Sequence, residues 1–117
     1  MQPQGHVQVL LNLLAFRMSP QEALDAPRVC LGSSFPGVNG PGVEVHVEPG
    51  IQAGEAVLEG LRKLGYDAVL TGLETEDGGV ARNIFGIGQV VRVNEYAEGR
   101  VWSGASDMRG DGHCVGF

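Results

Sequence analysis

The chain has 117 residues and a mass of 12.3 kDa, inside the range of ~100–150 residues common for one domain. Glycine takes 19 of the 117 positions against a usual share of ~7%, yet with no collagen-like period, and 43% hydrophobic residues are too many for a disordered chain. Eight basic against 14 acidic side chains leave a net charge of −6, and no Lys/Arg cluster is present to displace counterions from a phosphate backbone, so a nucleic-acid partner is excluded.

Gln2-Pro3-Gln4-Gly5-His6 reads as an extended, turn-prone lead. From Val7 to Phe16 the residues are apolar except Gln8 and Asn12, which lie four apart and so share one helical face. A helix apolar over most of its circumference is expected to be covered on several sides. Ser19-Pro20-Gln21-Glu22 predicts a second helix start, with Ser19 as N-cap, Pro20 at the first helical position and Glu22 closing a capping box. That helix runs to about Ala26 and stops at Pro27.

Arg28 to Leu31 predicts a short strand, and the Gly/Pro/Ser-rich stretch from Gly32 to Gly42 a loop. Val43, Val45 and Val47 alternate with Glu44, His46 and Glu48, the period of a strand with one wet face. After Pro49-Gly50, the residues Ile51, Val57, Leu58, Leu61 and Leu64 recur at helical spacing, and Gly65 provides the left-handed stop. Asp67 to Thr71 returns as a strand. An acidic loop from Gly72 to Gly79 precedes a strand over Phe85–Val93, and the turn Asn94–Gly99 folds Arg100–Ala105 back as a hairpin. The order α, α, β, β, α, β, β, β predicts an α+β fold of mostly antiparallel strands with two or three helices. No repeat or linker divides residues 1–117.

Candidate chemistry is sparse. Asp107-Met108-Arg109-Gly110-Asp111-Gly112-His113-Cys114 gathers carboxylates, an imidazole and a thiol, but zinc sites draw on paired, spaced clusters and the Asp-x-Asp-x-Asp-Gly calcium pattern is missed. Structural hydrogen bonds from Asp107 and Arg109 are therefore expected, and no metal. Cys30 and Cys114 stand beside apolar residues and read as buried, inert thiols; two cysteines are too few for a disulfide scaffold and fit a reducing or neutral setting. His46 is expected to be solvated on its strand, and His6 to pack or cap. Neither threonine, Thr71 or Thr75, forms a recognisable dyad. Gly86-Ile87-Gly88 lacks the third glycine and following helix of a dinucleotide site and is expected to mark a bulge, so no cofactor is predicted. Glu74, Glu76 and Asp77 read as a solvated loop. The stretch Val7–Phe16 is too short to span a bilayer, which argues against membrane insertion, and no signal peptide is evident. Localisation stays open, leaning to the cytoplasm. From the residues alone, no catalytic, cofactor-binding or metal site is assigned.

Four segments nevertheless carry a resemblance. Met1-Gln2-Pro3-Gln4-Gly5-His6-Val7-Gln8-Val9-Leu10-Leu11-Asn12, Pro20 to Arg28, Phe85-Gly86-Ile87-Gly88-Gln89, and Ser103-Gly104-Ala105-Ser106-Asp107-Met108-Arg109-Gly110-Asp111-Gly112 resemble, in order, the C-terminal part of the small subunit of the gamma-glutamyltransferase family. The resemblance implies an N-terminal-nucleophile hydrolase fold, a four-layer αββα sandwich. It also implies an activity for the complete enzyme: a freed N-terminal threonine, its own α-amine serving as base, attacks gamma-glutamyl amides such as glutathione, and a glycine pair stabilises the oxyanion. The glutamyl group passes to water or to an amino acid.

This sequence begins at Met1, and nothing in it aligns with that threonine. The glycine pair and the residues that grip the glutamyl group would also lie upstream. The expectation is thus a C-terminal fragment, residues 1–117, inactive alone, whose partners are the missing upstream part of the same small subunit and the family's large subunit, with a small gamma-glutamyl substrate in the full enzyme. The alternative is a truncated, non-catalytic paralogue acting as a binding subunit. Met108, where proline is common, His113-Cys114, where small residues are common, and Phe117, where tyrosine is common, depart from the family pattern.

Overall fold

The computed structural model describes residues 1–32, 44–52, 54–72 and 83–116. The elements are α1 (Gln2–Leu14), α2 (Pro20–Asp25), β1 (Val29–Leu31), β2 (Glu44–Val47), α3 (Gly54–Lys63), β3 (Asp67–Leu70), a 3₁₀ turn (Asn83–Phe85), β4 (Gln89–Tyr96) and β5 (Gly99–Ser106). Their order is the predicted one, and the class is α+β. By contacts they form two compact units, Met1–Gly5 with Pro27–Gly86, and His6–Ala26 with Ile87–Phe117.

The first helix departs from expectation at its start. The lead is helical from Gln2, with Gly5 N donating to Met1 O at 2.9 Å. Pro3 is tolerated there because a first-turn residue has no intrahelical acceptor for an N–H. At the far end Phe16 N donates to Leu11 O and Met18 N to Asn12 O, while Arg17 adopts φ 56°, a left-handed stop that glycine more often provides. No residue of α1 is buried: Leu14 is 75% exposed, and Phe16, just past the helix end, 68%.

In the first unit β2 is the central strand. It pairs antiparallel with β1 (Val29↔Val47, Cys30↔His46, Leu31↔Val45) and parallel with β3 (Val45↔Ala68, His46↔Val69). Parallel neighbours need a long crossover, and α3 lies in that connection. Glu55 in its first turn and Arg62 and Lys63 in its last complement the helix dipole, and Gly65 at φ 90° ends it. Leu58 is buried with Val45, Val47 and Ala68, and Val29, Ile51 and Leu61 pack around them. This is the apolar side of the sheet, as the valine alternation predicts. The opposite side corrects the prediction of a wet face: His46 is 8% exposed and Glu48 3%. Period two shows that the two faces differ in chemistry, not that the polar one meets water.

The second unit pairs β4 with β5 antiparallel from Gln89↔Ser106 to Tyr96↔Gly99. β4 starts four residues later than the predicted Phe85 and runs on to Tyr96, β5 is longer than the predicted Arg100–Ala105, and the turn is shorter. Asn94 and Glu95 stay in the ladder, leaving only Ala97 and Glu98 between the strands. Gly86, Ile87 and Gly88 precede β4 rather than bulging within it, and Gly86 takes φ 73°. Helix α2 lies against both strands. Its start is the predicted capping box: Glu22 N donates to Ser19 Oγ at 3.3 Å, and Ser19 N donates to Glu22 Oε2 at 2.8 Å. No helix among the described residues is long and apolar enough to cross a membrane.

Candidate functional site

Two polar constellations stand out, one in each unit. In the first unit, alternation places Glu44, His46 and Glu48 on one face of β2, and the registers set Cys30 of β1 and Val69 of β3 beside His46. Thr71 follows β3, its N–H donating to Val47 O at 2.9 Å. His46 Nδ1 and Thr71 Oγ1 are hydrogen-bonded at 2.9 Å, and His46 Nε2 lies 3.5 Å from Glu44 Oε2. The structure thus brings together a histidine and a threonine that their sequence spacing left apart. Glu44 Oε2 and His46 Nε2 are both buried and make no hydrogen bond, so the row is broken between imidazole and carboxylate and lacks the oriented base of a nucleophilic relay. A relay also needs donors aimed at a developing oxyanion, and the Thr71 N–H is already engaged by Val47. The trio is best described as a polar tie between the ends of β2 and β3.

Further along the same face, Arg28 extends the β1–β2 ladder. Arg28 N donates to Glu48 Oε2 at 3.0 Å and Glu48 N donates to Arg28 O at 2.9 Å. The Arg28 guanidinium, 3% exposed as a residue, donates through Nη1 to the carbonyls of Phe85 (3.2 Å) and Gly86 (3.0 Å). On the outer side of β1, the Gln4 amide makes two hydrogen bonds with Leu31: Nε2 donates to Leu31 O at 3.0 Å and Oε1 accepts from Leu31 N at 2.7 Å. Neither Arg28 nor Gln4 was singled out from the residues, because no local period marks a side chain whose partner lies 27 or 57 positions away.

In the second unit, Asp107 and Arg109 make the structural hydrogen bonds expected of them. Both side chains are fully buried, with Arg109 Nη1 2.9 Å from Asp107 Oδ1. Asp107 also accepts from Arg109 N at 3.0 Å and, through Oδ2, from Gly88 N at 2.9 Å. The Arg109 fork donates to Leu24 O at 2.7 Å and Ala26 O at 3.0 Å. These carbonyls end α2, where acceptors lack intrahelical donors and a cation is favoured. A planar guanidinium can hold two carbonyls and a carboxylate at once, which a lysine ammonium does less well.

Other expectations resolve as follows. Cys30 is buried, as expected, but Cys114 is exposed. His6 lies exposed on α1 rather than packing or capping. Among the described residues no group of three or more His, Cys, Asp and Glu side chains converges on a point where a metal ion could sit; Asp107 faces Gly88 and Arg109 instead. Thr75, Glu74, Glu76 and Asp77 lie outside the described residues.

With this geometry in view, comparisons with known proteins are informative. The family model described as gamma-glutamyltranspeptidase matches residues 1–117. A mutant of Helicobacter pylori gamma-glutamyltranspeptidase is similar at TM-score 0.66 and 25% identity, covering 92% of this chain and 48% of that one. Gamma-glutamyltranspeptidase from Pseudomonas nitroreducens, complexed with L-DON, is similar at TM-score 0.63 and 22% identity over 97% of this chain and 48% of that one. The Bacillus anthracis transpeptidase CapD is similar at TM-score 0.67 and 19% identity over 98% of this chain and 57% of that one. No curated protein sequence matches. The chain spans about half the length of the solved structures it resembles. Helices and mostly antiparallel strands arranged in this order are those of N-terminal-nucleophile hydrolases, and the chain belongs to the gamma-glutamyltranspeptidase family.

Proposed function

We propose that residues 1–117 are the C-terminal part of a gamma-glutamyltranspeptidase small subunit. In the complete enzyme, a threonine nucleophile outside this sequence transfers gamma-glutamyl groups to water or to amino acids. The observation that carries this reading is a family match over residues 1–117 by a chain that covers only 48% of the solved enzymes it resembles. Here the chain supplies framework: α1, α2, the β4–β5 hairpin and the sheet around β2. The exposed apolar residues Val7, Leu10, Leu11 and Leu14 of α1, with Phe16 just after it, support it, since apolar surface of this kind marks a face that another part of an assembly covers. The partners proposed are the upstream part of the small subunit and the large subunit.

The test is turnover of a gamma-glutamyl anilide by the purified 117-residue chain. No turnover is expected, together with binding of a hydrophobic dye that is lost when the remaining subunit segments are co-expressed. Turnover by the isolated chain would sink the proposal. A stable complex with a partner unrelated to the family's subunits would instead favour a non-catalytic binding paralogue.

A further inference from the structure

On the polar face of β2, one contact is left unmade. His46 Nε2 and Glu44 Oε2 stand 3.5 Å apart, and each is buried without a hydrogen-bond partner. An unpaired polar atom inside a protein is costly, and here two lie side by side. Neither neutral form of the ring removes that cost. With the ring proton on Nδ1 and donated to Thr71 Oγ1 at 2.9 Å, a bare Nε2 faces the carboxylate oxygen, lone pair to lone pair. With the proton on Nε2, the N–H meets that oxygen at a separation too long for a good hydrogen bond, and the carboxylate charge stays unpaired. The doubly protonated ring donates at both ends, to the Thr71 hydroxyl and to Glu44.

The charges around the ring favour that form. On β1 the residue across from His46 is Cys30, and on β3 it is Val69. Asp67 of β3 stands across from Glu44. Two residues along β2, Glu48 accepts from Arg28 N, while the Arg28 guanidinium donates to the carbonyls of Phe85 and Gly86. The 3₁₀ turn Asn83–Phe85 brings no titratable side chain. Helix α3 packs on the apolar side, where Arg62 donates to Ala68 O and Lys63 pairs with Glu59, with Glu55 in its first turn. Among the described residues, the carboxylates of Glu44, Glu48 and Asp67 thus outnumber the one guanidinium beside this face. Burial by itself disfavours an imidazolium, but the same burial encloses the carboxylate that lacks a partner.

We propose that His46 is a proton-operated latch within the first unit. A proton taken from solvent onto the ring turns the broken row into a continuous one, Thr71–His46–Glu44, and fastens the end of β3 to the start of β2. Only the proton is transferred, and no bond between heavy atoms changes. Since the protonated ring gains a buried partner, the latch holds on the acid side of the imidazole titration and releases as pH rises through it. It works inside one unit and does not rest on the framework role proposed above.

The reporter is the Thr71 main-chain N–H, which donates to Val47 O at 2.9 Å. In the 117-residue chain its hydrogen-exchange protection, corrected for the intrinsic rate at each pH, is expected to rise several-fold from about pH 7.5 to about pH 5.5, the range in which histidine titrates and carboxylates ordinarily do not. The amides of β4 and β5 are expected to show no matching rise. In Glu44→Gln and in His46→Asn the rise at Thr71 is expected to vanish. A flat response at Thr71 in the unaltered chain overturns the proposal, whether or not the variants fold. A rise matched throughout the hairpin, or one that persists in Glu44→Gln, overturns it as well, since the proton would then be acting somewhere other than between His46 and Glu44.

Discussion

Each of the two units is held together internally by different means. The first has an apolar cluster, Val45, Val47, Leu58 and Ala68, pressed between a sheet and α3, with its polar groups gathered on the other side of the sheet. The second has few buried apolar side chains, Ala23, Leu24 and Ala105 among them, and at its centre a buried ion pair, Asp107 with Arg109, that ties the end of α2 to the base of the hairpin. Apolar packing tolerates a change of shape at the expense of a cavity. A buried pair tolerates almost no change, because removing one partner strands the other charge. The second unit should therefore be the more brittle toward single substitutions.

The largest expected effect tests that directly. Arg109→Met takes the guanidinium from the buried Asp107 carboxylate, which keeps the main-chain donors of residues 109 and 88, and removes the Nη donors to the Leu24 and Ala26 carbonyls. A loss of about 3–5 kcal/mol is expected for breaking a buried pair in this way, read as a fall in the melting midpoint followed by Trp102 fluorescence. A loss no larger than that of an average surface change would erase the contrast between the units. Leu58→Ala comes next, at about 3 kcal/mol for a buried leucine cut back to a methyl. Its reporter is Cys30, whose reaction with a thiol reagent should accelerate as the first unit loosens. If Cys30 protection is unaffected, the apolar cluster does not hold that unit together.

Thr71→Val keeps the shape of the residue and removes the hydroxyl bonded to His46. The expected loss is about 1 kcal/mol, the usual net value of one hydrogen bond, measured by denaturant unfolding. A loss several times larger would mean that the Thr71–His46–Glu44 row acts as a coupled network. The smallest effect concerns acid. The Ser19 N–H bonded to the Glu22 carboxylate, helped by the Ser19 hydroxyl, holds the Glu22 pKa below its ordinary 4.5. A depressed carboxylate stabilises above its unfolded value and loses that contribution as pH falls through the folded one. Helicity in α2 should thus decline below pH 4.5, and Glu22→Gln should flatten the decline. Identical acid titrations for the two proteins would remove the capping box from the acid response.

What could be read in the residues follows the reach of each signal. The α2 start was legible because Ser19, Pro20 and Glu22 act on one another within a single turn. The α3 face and the valine face of β2 were legible because helical and strand periods are local. The start of α1 was misread because Pro3 and Gly5 resemble turn residues equally well at a helix's first turn, where their drawbacks vanish. His46 was misplaced for another reason: alternation separates faces without saying what covers them. The Asp107–Arg109 pair was anticipated as structural, but its grip on Leu24 and Ala26, 85 and 83 positions away, leaves no trace in spacing. The division into two units was also hidden, since each is assembled from separate stretches of chain.

The Gln4 side chain has a consequence for how copies of this chain meet. A short strand at a sheet's edge presents bare amide and carbonyl groups, and such a row is a template on which a second chain can add its own strand. By matching both the N–H and the C=O of Leu31, the Gln4 amide imitates one residue of an incoming strand and occupies the template at β1. Replacing that amide with a hydrocarbon of equal length would leave the fold's interior intact and unguard an edge, turning a question of stability into one of contagion between molecules.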